Sequence, residues 1–291
     1  MTESILTQVL LPVAIALIML GMGLSLTISD FTRLLRAPKP VITGLIGQLA
    51  LLPIIAFGLA YVFGLSAEFA MGLLIVAVCP GGTMSNVISQ LCNANLALSV
   101  TLTAICTIIG IVSTPLLIQI GYDYFLEDSA VEFSLLNASL GLLVITLVPI
   151  GLGMLINRFK PTLASKAEPF FRKGSAGFMV VMIIAIMIQE RANLVESFSQ
   201  LFLVCLSLNL LTIFAGLGLA KWQKLSPRDG ITLGIEIGIQ NATLAILIAL
   251  TFLSQSTLAL PAGVYGLTMY IGAGVLIYLS SKQSANNTNT I

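Results

Sequence analysis

Charged residues are scarce in this chain of 291 residues, which has 13 lysines and arginines, 12 aspartates and glutamates, and no histidine. Charged residues make up 9% of the sequence, whereas a soluble domain carries about 25%. Because so few charges cannot cover a surface that faces water, the composition excludes a soluble globular protein. Hydrophobic residues amount to 57% and the mean hydropathy is +1.05, so the sequence predicts a protein embedded in the lipid bilayer.

The small net charge and the few cysteines exclude further classes of protein. The formal net charge is +1, so the chain lacks the basic excess that binds a nucleic acid. The cysteines lie singly in apolar stretches, at Cys79, Cys92, Cys106 and Cys205. Without histidine or a Cys-x-x-Cys spacing, they indicate no zinc site, no disulfide framework and no Cys–His nucleophile. We expect them to be buried as small apolar residues, and we expect no organic cofactor.

Nine apolar runs are long enough to span a bilayer, which requires about 20 mostly apolar residues. Separated by polar or charged breaks, they lie near residues 5–27, 41–63, 68–91, 96–121, 134–156, 173–190, 198–220, 230–253 and 259–280. The polar tail at residues 282–291 is expected to be disordered. The sequence thus predicts an all-α polytopic membrane protein, with residues 1–291 forming a single membrane domain.

The distribution of basic residues predicts the orientation of the chain. With nine spans the termini lie on opposite sides of the membrane, and an outer N-terminus places every basic residue except Arg191 in inner loops or the tail. Acidic residues gather in one outer loop, at Asp123, Glu127, Asp128 and Glu132. Lys and Arg concentrate on the cytoplasmic side of membrane proteins. We therefore expect an outer N-terminus and a cytoplasmic C-terminus, in the plasma membrane or, in a bacterium, the inner membrane.

Two of the nine runs contain residues that interrupt a helix. The third has Pro80 followed by Gly81 and Gly82 in mid-stretch, where proline removes a backbone donor and glycine permits irregular backbone. The eighth contains Gly238 followed by Gln240 and a second amide. Because these runs lie five spans apart, they cross the membrane in opposite directions, as inverted repeats require. The sequence predicts inverted repeats with two discontinuous crossing helices, and a simple proline kink is the alternative at the first break.

Glu236 is a carboxylate inside the eighth apolar run. A carboxylate near the bilayer centre costs about 2.5–3.5 kcal/mol or more, so it must be protonated, paired or bound to a cation. No lysine or arginine lies at that depth in the sequence to pair with it. Gln240 follows four residues later and projects from the same helix face. The pattern favours a cation or proton site, and a protonated structural glutamate is the alternative.

Other polar side chains lie at membrane depth near the two breaks. Ser85 and Asn86 follow the first break, Ser99 and Thr103 are one helical turn apart in the fourth run, and Gln48 lies in the second. Singly, each forms an interhelical hydrogen bond more often than it binds an ion. Together with an unpaired carboxylate, their oxygen atoms favour a hard cation.

The half-helices that follow the breaks favour an anion. A helix N-terminus exposes unpaired N–H groups and carries a partial positive charge. The first such end begins at Thr83 and the second near Asn241. If the two ends face each other across a cavity, they form a site for a carboxylate or sulfonate.

The motif Cys-Pro-Gly-Gly-Thr-Met-Ser-Asn-Val at residues 79–87, with Glu-Ile-Gly-Ile-Gln-Asn at residues 236–241, resembles the bile acid:sodium symporter (BASS) family. Gly-Met-Gly-Leu-Ser-Leu at residues 21–26 is similar too, and the resemblance covers nearly the whole chain. It implies a core domain with two crossing discontinuous helices and a panel domain that moves against it. The core helices would come from residues 28–121 and 198–281, and the panel helices from residues 1–27 and 134–190.

The resemblance also implies the binding residues for two coupling sodium ions and a substrate. The first sodium site would use Ser85, Asn86, Ser99, Thr103 and Glu236. The second would use Gln48, Glu236, Gln240 and the carbonyl groups of Ile237 and Ile239. The organic anion would contact Thr83 and Asn241.

The expected function is sodium-coupled secondary active transport of an organic anion by alternating access. Because family members take bile acids or smaller carboxylic acids, the resemblance does not determine the substrate. A proton-coupled organic-acid transporter, in which Glu236 titrates, is the alternative. A membrane-embedded enzyme or a channel is disfavoured, because a chain with no histidine and one intramembrane acid offers few catalytic pairs.

Overall fold

The computed structural model describes residues 11–126 and 134–288, which are mostly helical. In chain order the helices are α1 (Leu11–Ser25), α2 (Ile28–Arg36), α3 (Pro38–Val62), α4 (Ala67–Val78), α5 (Thr83–Leu91), α6 (Leu96–Phe125), α7 (Leu135–Phe159), α8 (Pro161–Gln189), α9 (Arg191–Trp222), α10 (Pro227–Gly238), α11 (Ala242–Phe252) and α12 (Leu260–Thr288). A 3₁₀ turn at Thr257–Ala259 leads into α12, and α3, α7 and α11 each contain one π-helical segment.

Six helical segments within the described residues are long and apolar enough to cross a membrane: α3, α6, α7, α8, α9 and Thr257–Ser280. The prediction of an all-helical, multi-pass membrane protein is confirmed. The described parts of α1, α4 and α11 are shorter apolar helices, and the third and eighth apolar runs are each divided into two helices. The count of nine spans therefore stays a prediction.

Two boundaries differ from the sequence-based expectation. The sixth run was expected near residues 173–190, but α8 begins at Pro161, because proline at the first helical position needs no N–H partner. The tail was expected to be disordered from residue 282, but α12 continues through Thr288. Residues 289–291 lie outside the described residues, as do Glu127, Asp128 and Glu132 of the expected acidic loop.

Polar caps begin the helices that surround the centre of the molecule. The side chain of Asn95 accepts a hydrogen bond from Leu98 N at 3.1 Å at the start of α6. At the start of α10, Ser226 accepts one from Asp229 N at 3.1 Å and Pro227 occupies the first turn. These caps satisfy backbone donors that have no partner within their helix. All four cysteines are buried and unpaired, as expected.

Glycine allows α1 to pack closely on α7. A Cβ added at Gly23 would lie 2.2 Å from the carbonyl oxygen of Ile150, and one added at Gly153 would lie 2.4 Å from that of Leu20. No other residue type fits at these two contacts, because real Cβ atoms do not approach so closely. Small residues bring membrane helices together in this way. Helices α1, α7 and α8 thus form one closely packed group.

The two interrupted runs cross at the buried centre of the molecule. Helix α4 ends at Val78 and α5 begins at Thr83, while α10 ends at Gly238 and α11 begins at Ala242. Between these helices, Gly81 and Gln240 form an antiparallel β-bridge. The N–H of Asn241 also donates to the carbonyl of Pro80 at 3.2 Å. The interruption predicted in each run is confirmed, and hydrogen bonds between the two breaks satisfy part of the exposed backbone.

Candidate functional site

The carboxylate of Glu236 lies buried near the end of α10 and faces α6. Its side chain is 3% exposed. Ser99 donates to its Oε1 at 2.5 Å, and Thr103 donates to its Oε2 at 2.7 Å. Each carboxylate oxygen therefore has a hydroxyl partner, and the hydroxyl oxygens keep lone pairs that a cation could use after the O–H groups rotate.

Helix α5 adds further oxygen atoms to the same cluster. The Ser99 hydroxyl lies 2.8 Å from Asn86 Oδ1, so its single proton is shared between that oxygen and Glu236. Ser85 Oγ lies 3.4 Å from Thr103 Oγ1. The structure thus brings together all the residues predicted for the first sodium site. Acceptor oxygens outnumber the available hydroxyl protons there, which gives the cluster a negative electrostatic potential.

Ser89 belongs to this cluster but was not among the predicted residues. It is fully buried one turn after Ser85 on α5, and it donates to Ser99 Oγ at 3.1 Å. Its four-residue spacing from Ser85 was the available signal in the sequence. The hydrogen bond orients the Ser99 hydroxyl towards Glu236.

Two glutamines form hydrogen bonds to each other and to backbone carbonyls at the two helix breaks. Gln48 Nε2 donates to the carbonyl of Cys79 at 3.0 Å and to Gln240 Oε1 at 2.7 Å. Gln240 Nε2 donates to the carbonyls of Ile237 at 2.8 Å and Glu236 at 3.1 Å. Four of the residues predicted for the second sodium site are therefore linked by hydrogen bonds, and the carbonyl oxygens carry the negative ends of their dipoles into the cluster.

Ile239, the remaining residue predicted for the second site, lies in the unwound segment after α10. A Cβ added at Gly81 would lie 3.7 Å from the carbonyl oxygen of Ile239 and 3.1 Å from Glu236 Oε2. Gly81 thus lies between the carboxylate and this carbonyl. A side chain at this position would enter the space between them, which explains the need for glycine.

A π-helical segment in α3, Gly47–Leu51, carries Gln48 into the centre. Such segments often occur at functional sites because the extra residue redirects nearby side chains. A Cβ added at Gly47 would lie 2.2 Å from Ile237 Cδ1, so glycine allows α3 to approach α10. The sequence predicted the participation of Gln48, whereas the π-helical turn was not predicted, although Pro53 just after it was an available signal.

Thr83 and Asn241, the predicted substrate contacts, line one cavity at the starts of α5 and α11. Asn241 Oδ1 accepts a hydrogen bond from Leu244 N at 3.1 Å, which leaves its amide N–H groups for other partners. Helices α1, α8 and α12 complete the wall of the cavity, which includes Ile18, Met19, Met84, Met179 and Met269. These apolar side chains were not predicted, because their sequence pattern is that of ordinary membrane spans.

Two side chains that the sequence did not single out hold the end of α10. Asn209 Nδ2 of α9 donates to the carbonyl of Gly238 at 2.6 Å, and the hydroxyl of Tyr265 on α12 donates to the same oxygen at 2.8 Å. At the other break, Thr114 of α6 donates to the carbonyl of Val78 at 2.7 Å. Each helix interruption thus has its end carbonyls satisfied by neighbouring helices.

Comparison with known proteins identifies the family. A sequence profile described as "Sodium Bile acid symporter family" matches residues 12–197. The chain is also 34% identical over 271 residues to "Uncharacterized sodium-dependent transporter YocS" of Bacillus subtilis (strain 168), covering 92% of this chain and 82% of that protein. The chain belongs to the sodium bile acid symporter family. The resemblance seen in the crossing motifs is thereby confirmed.

More distant relatives in this family have different cargoes in their names. "Probable sodium/metabolite cotransporter BASS1, chloroplastic" of Arabidopsis thaliana is 27% identical over 265 residues, which cover 91% of this chain and 65% of that protein. "Sodium/bile acid cotransporter 4" of Homo sapiens is 29% identical over 236 residues, which cover 79% of this chain and 53% of that protein. The protein is thus a multi-pass membrane member of a family of sodium-dependent transporters.

Proposed function

We propose that this protein is a sodium-coupled symporter that moves an organic anion across the plasma membrane by alternating access. The observation that carries the proposal is the environment of Glu236, a buried carboxylate whose two oxygens meet only hydroxyl donors at 2.5 and 2.7 Å in the described hydrogen-bond network. A cation that joins this cluster removes the cost of holding a charge away from water. The names of the relatives support sodium as that cation.

The first sodium ion binds among Ser85, Asn86, Ser99, Thr103 and Glu236. To bind it, the hydroxyls of Ser99 and Thr103 turn their protons away from the carboxylate and present oxygen. Ser99 Oγ already lies between Asn86 Oδ1 and Glu236 Oε1, so a small rotation suffices. An all-oxygen set that includes one carboxylate suits a hard cation.

The second sodium ion binds beside the unwound end of α10. Its ligands are Gln48, Glu236, Gln240 and the carbonyls of Ile237 and Ile239. Gln240 Nε2 now donates to the Ile237 carbonyl, so ion binding requires the amide to rotate and present Oε1 instead. Unwound backbone at membrane depth coordinates sodium in other secondary transporters. Both ions contact Glu236, which couples their binding electrostatically.

The organic anion binds at the cavity lined by Thr83 and Asn241, whose volume of about 20 Å³ in this structure holds one water molecule, so panel and core must separate to admit the anion. Two sodium ions beside one carboxylate leave a net charge of about +1 near the starts of α5 and α11, and both helix ends favour an anion. Methionine side chains in the cavity wall adapt to apolar surfaces of different shape. We therefore expect a carboxylate with an apolar body, either bile-acid-like or a smaller carboxylic acid.

Alternating access would move two groups of helices against each other. The panel comprises residues 1–27 and 134–190, which include the closely packed α1, α7 and α8, and the core comprises residues 28–121 and 198–281. The crossing breaks belong to the core, whereas the substrate cavity has walls from both groups. The two halves of the core are inverted repeats of each other. The whole chain crosses the membrane nine times, with the N-terminus outside and the C-terminus in the cytoplasm.

Uptake into proteoliposomes tests the proposal. Wild-type protein should accumulate labelled organic acids from a panel only when external sodium is present, with a sigmoidal dependence on its concentration. Glu236→Gln should abolish sodium dependence, whereas Glu196→Gln, an exposed change on α9, should not alter it. Uptake by the wild type that is independent of sodium would contradict the proposal, and uptake driven by a pH gradient in sodium-free medium would establish proton coupling instead.

A further inference from the structure

The carbonyl of Gly238 accepts hydrogen bonds from side chains of two neighbouring helices. In a continuous helix this oxygen would accept from the N–H of residue 242, but Ala242 N donates to the Gln240 carbonyl at 3.0 Å. The Gly238 oxygen instead accepts from Asn209 Nδ2 at 2.6 Å and from Tyr265 OH at 2.8 Å. Both donor side chains are fully buried. Two neighbouring helices, α9 and α12, thus hold one peptide group at the break.

Holding this peptide group also sets the direction of the next carbonyl. Ile239 is extended, with φ −118° and ψ 100°, and the carbonyls before and after an extended residue point in opposite directions. Because the Gly238 carbonyl is directed towards α9 and α12, the Ile239 carbonyl is directed the other way, towards Gly81. Two residues before Ile239, the Ile237 carbonyl accepts a hydrogen bond from Gln240 Nε2. The hold on Gly238 therefore orients the carbonyls that face the proposed second sodium site.

Stability alone does not explain an asparagine at position 209. Its Oδ1 is buried without a hydrogen-bond partner among the described residues, and an unpaired buried acceptor lowers stability. The space around it is also tight, since a Cβ added at Gly272 would lie 2.1 Å from this oxygen. A leucine has a similar size and no polar atom to leave unpaired. The feature that asparagine adds is the donor to Gly238.

We propose that Asn209 and Tyr265 are positioning residues for the second sodium site, where they hold the unwound end of α10 in the geometry that binds the ion. The inference rests on the proposed function. Neither side chain contacts the ion itself. They act through the Gly238 peptide group, and their loss lets the carbonyls of Ile237 and Ile239 reorient.

Sodium-dependent thermal unfolding of the purified full-length protein tests this inference, because a ligand at free concentration L that binds only the folded state stabilises it by RT ln(1 + L/Kd) and so raises the unfolding temperature. Tyr265→Phe removes only the hydroxyl and Asn209→Leu removes only the amide. Each should raise the half-saturating sodium concentration about three- to tenfold, the effect of one lost hydrogen bond. The Hill coefficient of sodium-driven uptake should fall towards 1, because only one of the two ions is affected.

Two matched controls separate positioning from general destabilisation. Tyr270→Phe alters a tyrosine that is 36% exposed on the same helix and should behave as wild type. Gly272→Ala should displace the Asn209 amide and raise the half-saturating sodium concentration, whereas Gly274→Ala, where an added Cβ meets no atom within 4 Å, should not. The KM for the organic anion at saturating sodium should stay unchanged in all of these variants.

The outcomes also separate this inference from the proposed function. If the wild type itself gains no stability from sodium, the proposed function fails and the inference fails with it. If the wild type responds to sodium but Tyr265→Phe and Asn209→Leu keep its half-saturating concentration, the inference alone is overturned. If the variants lower the unfolding temperature by the same amount with and without sodium, these residues have a purely structural role and the inference is likewise overturned.

Discussion

Ser99 and Thr103 determine how Glu236 is stabilised when no cation is present. Each hydroxyl donates to one carboxylate oxygen, and both side chains are fully buried on one face of α6. Hydrogen bonds to charged groups contribute about 1.5–3 kcal/mol each, so two of them offset part of the cost of burying the carboxylate. In the proposed sodium site, the same oxygens would bind the ion once the hydroxyls rotate, so the carboxylate would have partners in both the empty and the loaded state.

Removal of either hydroxyl should weaken sodium binding. Ser99→Ala or Thr103→Val should raise the half-saturating sodium concentration for uptake about tenfold or more, because a ligand oxygen and a partner of the carboxylate are lost together. Thr101→Val is the matched control, since Thr101 is equally buried on α6 but its hydroxyl donates to the carbonyl of Ala97 in its own helix. Equal sodium responses in Ser99→Ala, Thr103→Val and Thr101→Val would contradict the assignment of the first site.

Changes at the substrate cavity should separate anion binding from ion binding. Thr83→Val and Asn241→Leu remove polar groups from the starts of α5 and α11, and each should raise the KM for the organic anion about tenfold. Neither residue belongs to the proposed sodium sites, so the sodium-induced rise in unfolding temperature should persist without substrate. A loss of that rise would instead assign the residue to ion binding.

At the scale of single residues, the sequence predicted which side chains belong to the site better than it predicted which backbone carbonyls do. Glu236 and Gln48 are recognisable in the sequence because a polar group in an apolar run requires an explanation. Asn209 is equally polar, but its partner is a carbonyl freed by the end of α10, and no pattern of residue types identifies that carbonyl. Ile18 and the methionines of the substrate cavity are apolar residues in apolar helices, so only the fold reveals that they face a cavity.

Among the helices, α3 shows how a local irregularity positions a functional side chain. Its π-helical segment contains Gln48, and the glycine that begins this segment contacts Ile237 of α10. Proline and glycine predicted the breaks in the third and eighth runs because they directly change backbone chemistry. The π-helical segment also has a residue-type signature, because Pro53 lies just after it and a proline disrupts the regular turn before it. The proline indicates an irregular turn, but the sequence does not show that this turn directs Gln48 towards α10.

Gly47→Ala should disturb this contact between α3 and α10. The added methyl would lie 2.2 Å from Ile237 Cδ1, so the end of the buried Ile237 side chain must turn away or α3 must shift, and overpacking of this kind costs about 1–3 kcal/mol. We expect a lower unfolding temperature and a weaker sodium response, because either movement disturbs the contact that holds Gln48 beside α10. Gly58→Ala on the same helix meets no atom within 4 Å and should unfold like the wild type. Thermal unfolding with and without sodium distinguishes the two variants, and equal behaviour would refute the role of this contact.

Across the whole molecule, cavities lie at the boundary between the proposed panel and core. Between α2, α6 and α7 lies a cavity of about 230 Å³, whose lining includes Phe31, Ala104 and Ile150. An adjoining cavity of about 750 Å³ has Arg158 and Pro161 among its lining residues. Met154 lines both. Because the predicted orientation places Arg158 on the cytoplasmic side, we interpret these spaces as an opening towards the cytoplasm.

Cysteine labelling tests whether this opening responds to sodium. For sodium to couple uptake, it must favour the state that is open to the outside, and a ligand shifts an equilibrium only by binding one state better. Sodium without substrate should therefore close the cavity and slow the labelling of Met154→Cys by a membrane-impermeant maleimide applied from the cytoplasmic side. The native cysteines are all buried, which keeps their background labelling low. Phe159→Cys, at the exposed end of α7, should label at the same rate with and without sodium. If sodium leaves the labelling of Met154→Cys unchanged, or accelerates it, the proposed link between ion binding and the movement of panel against core is wrong.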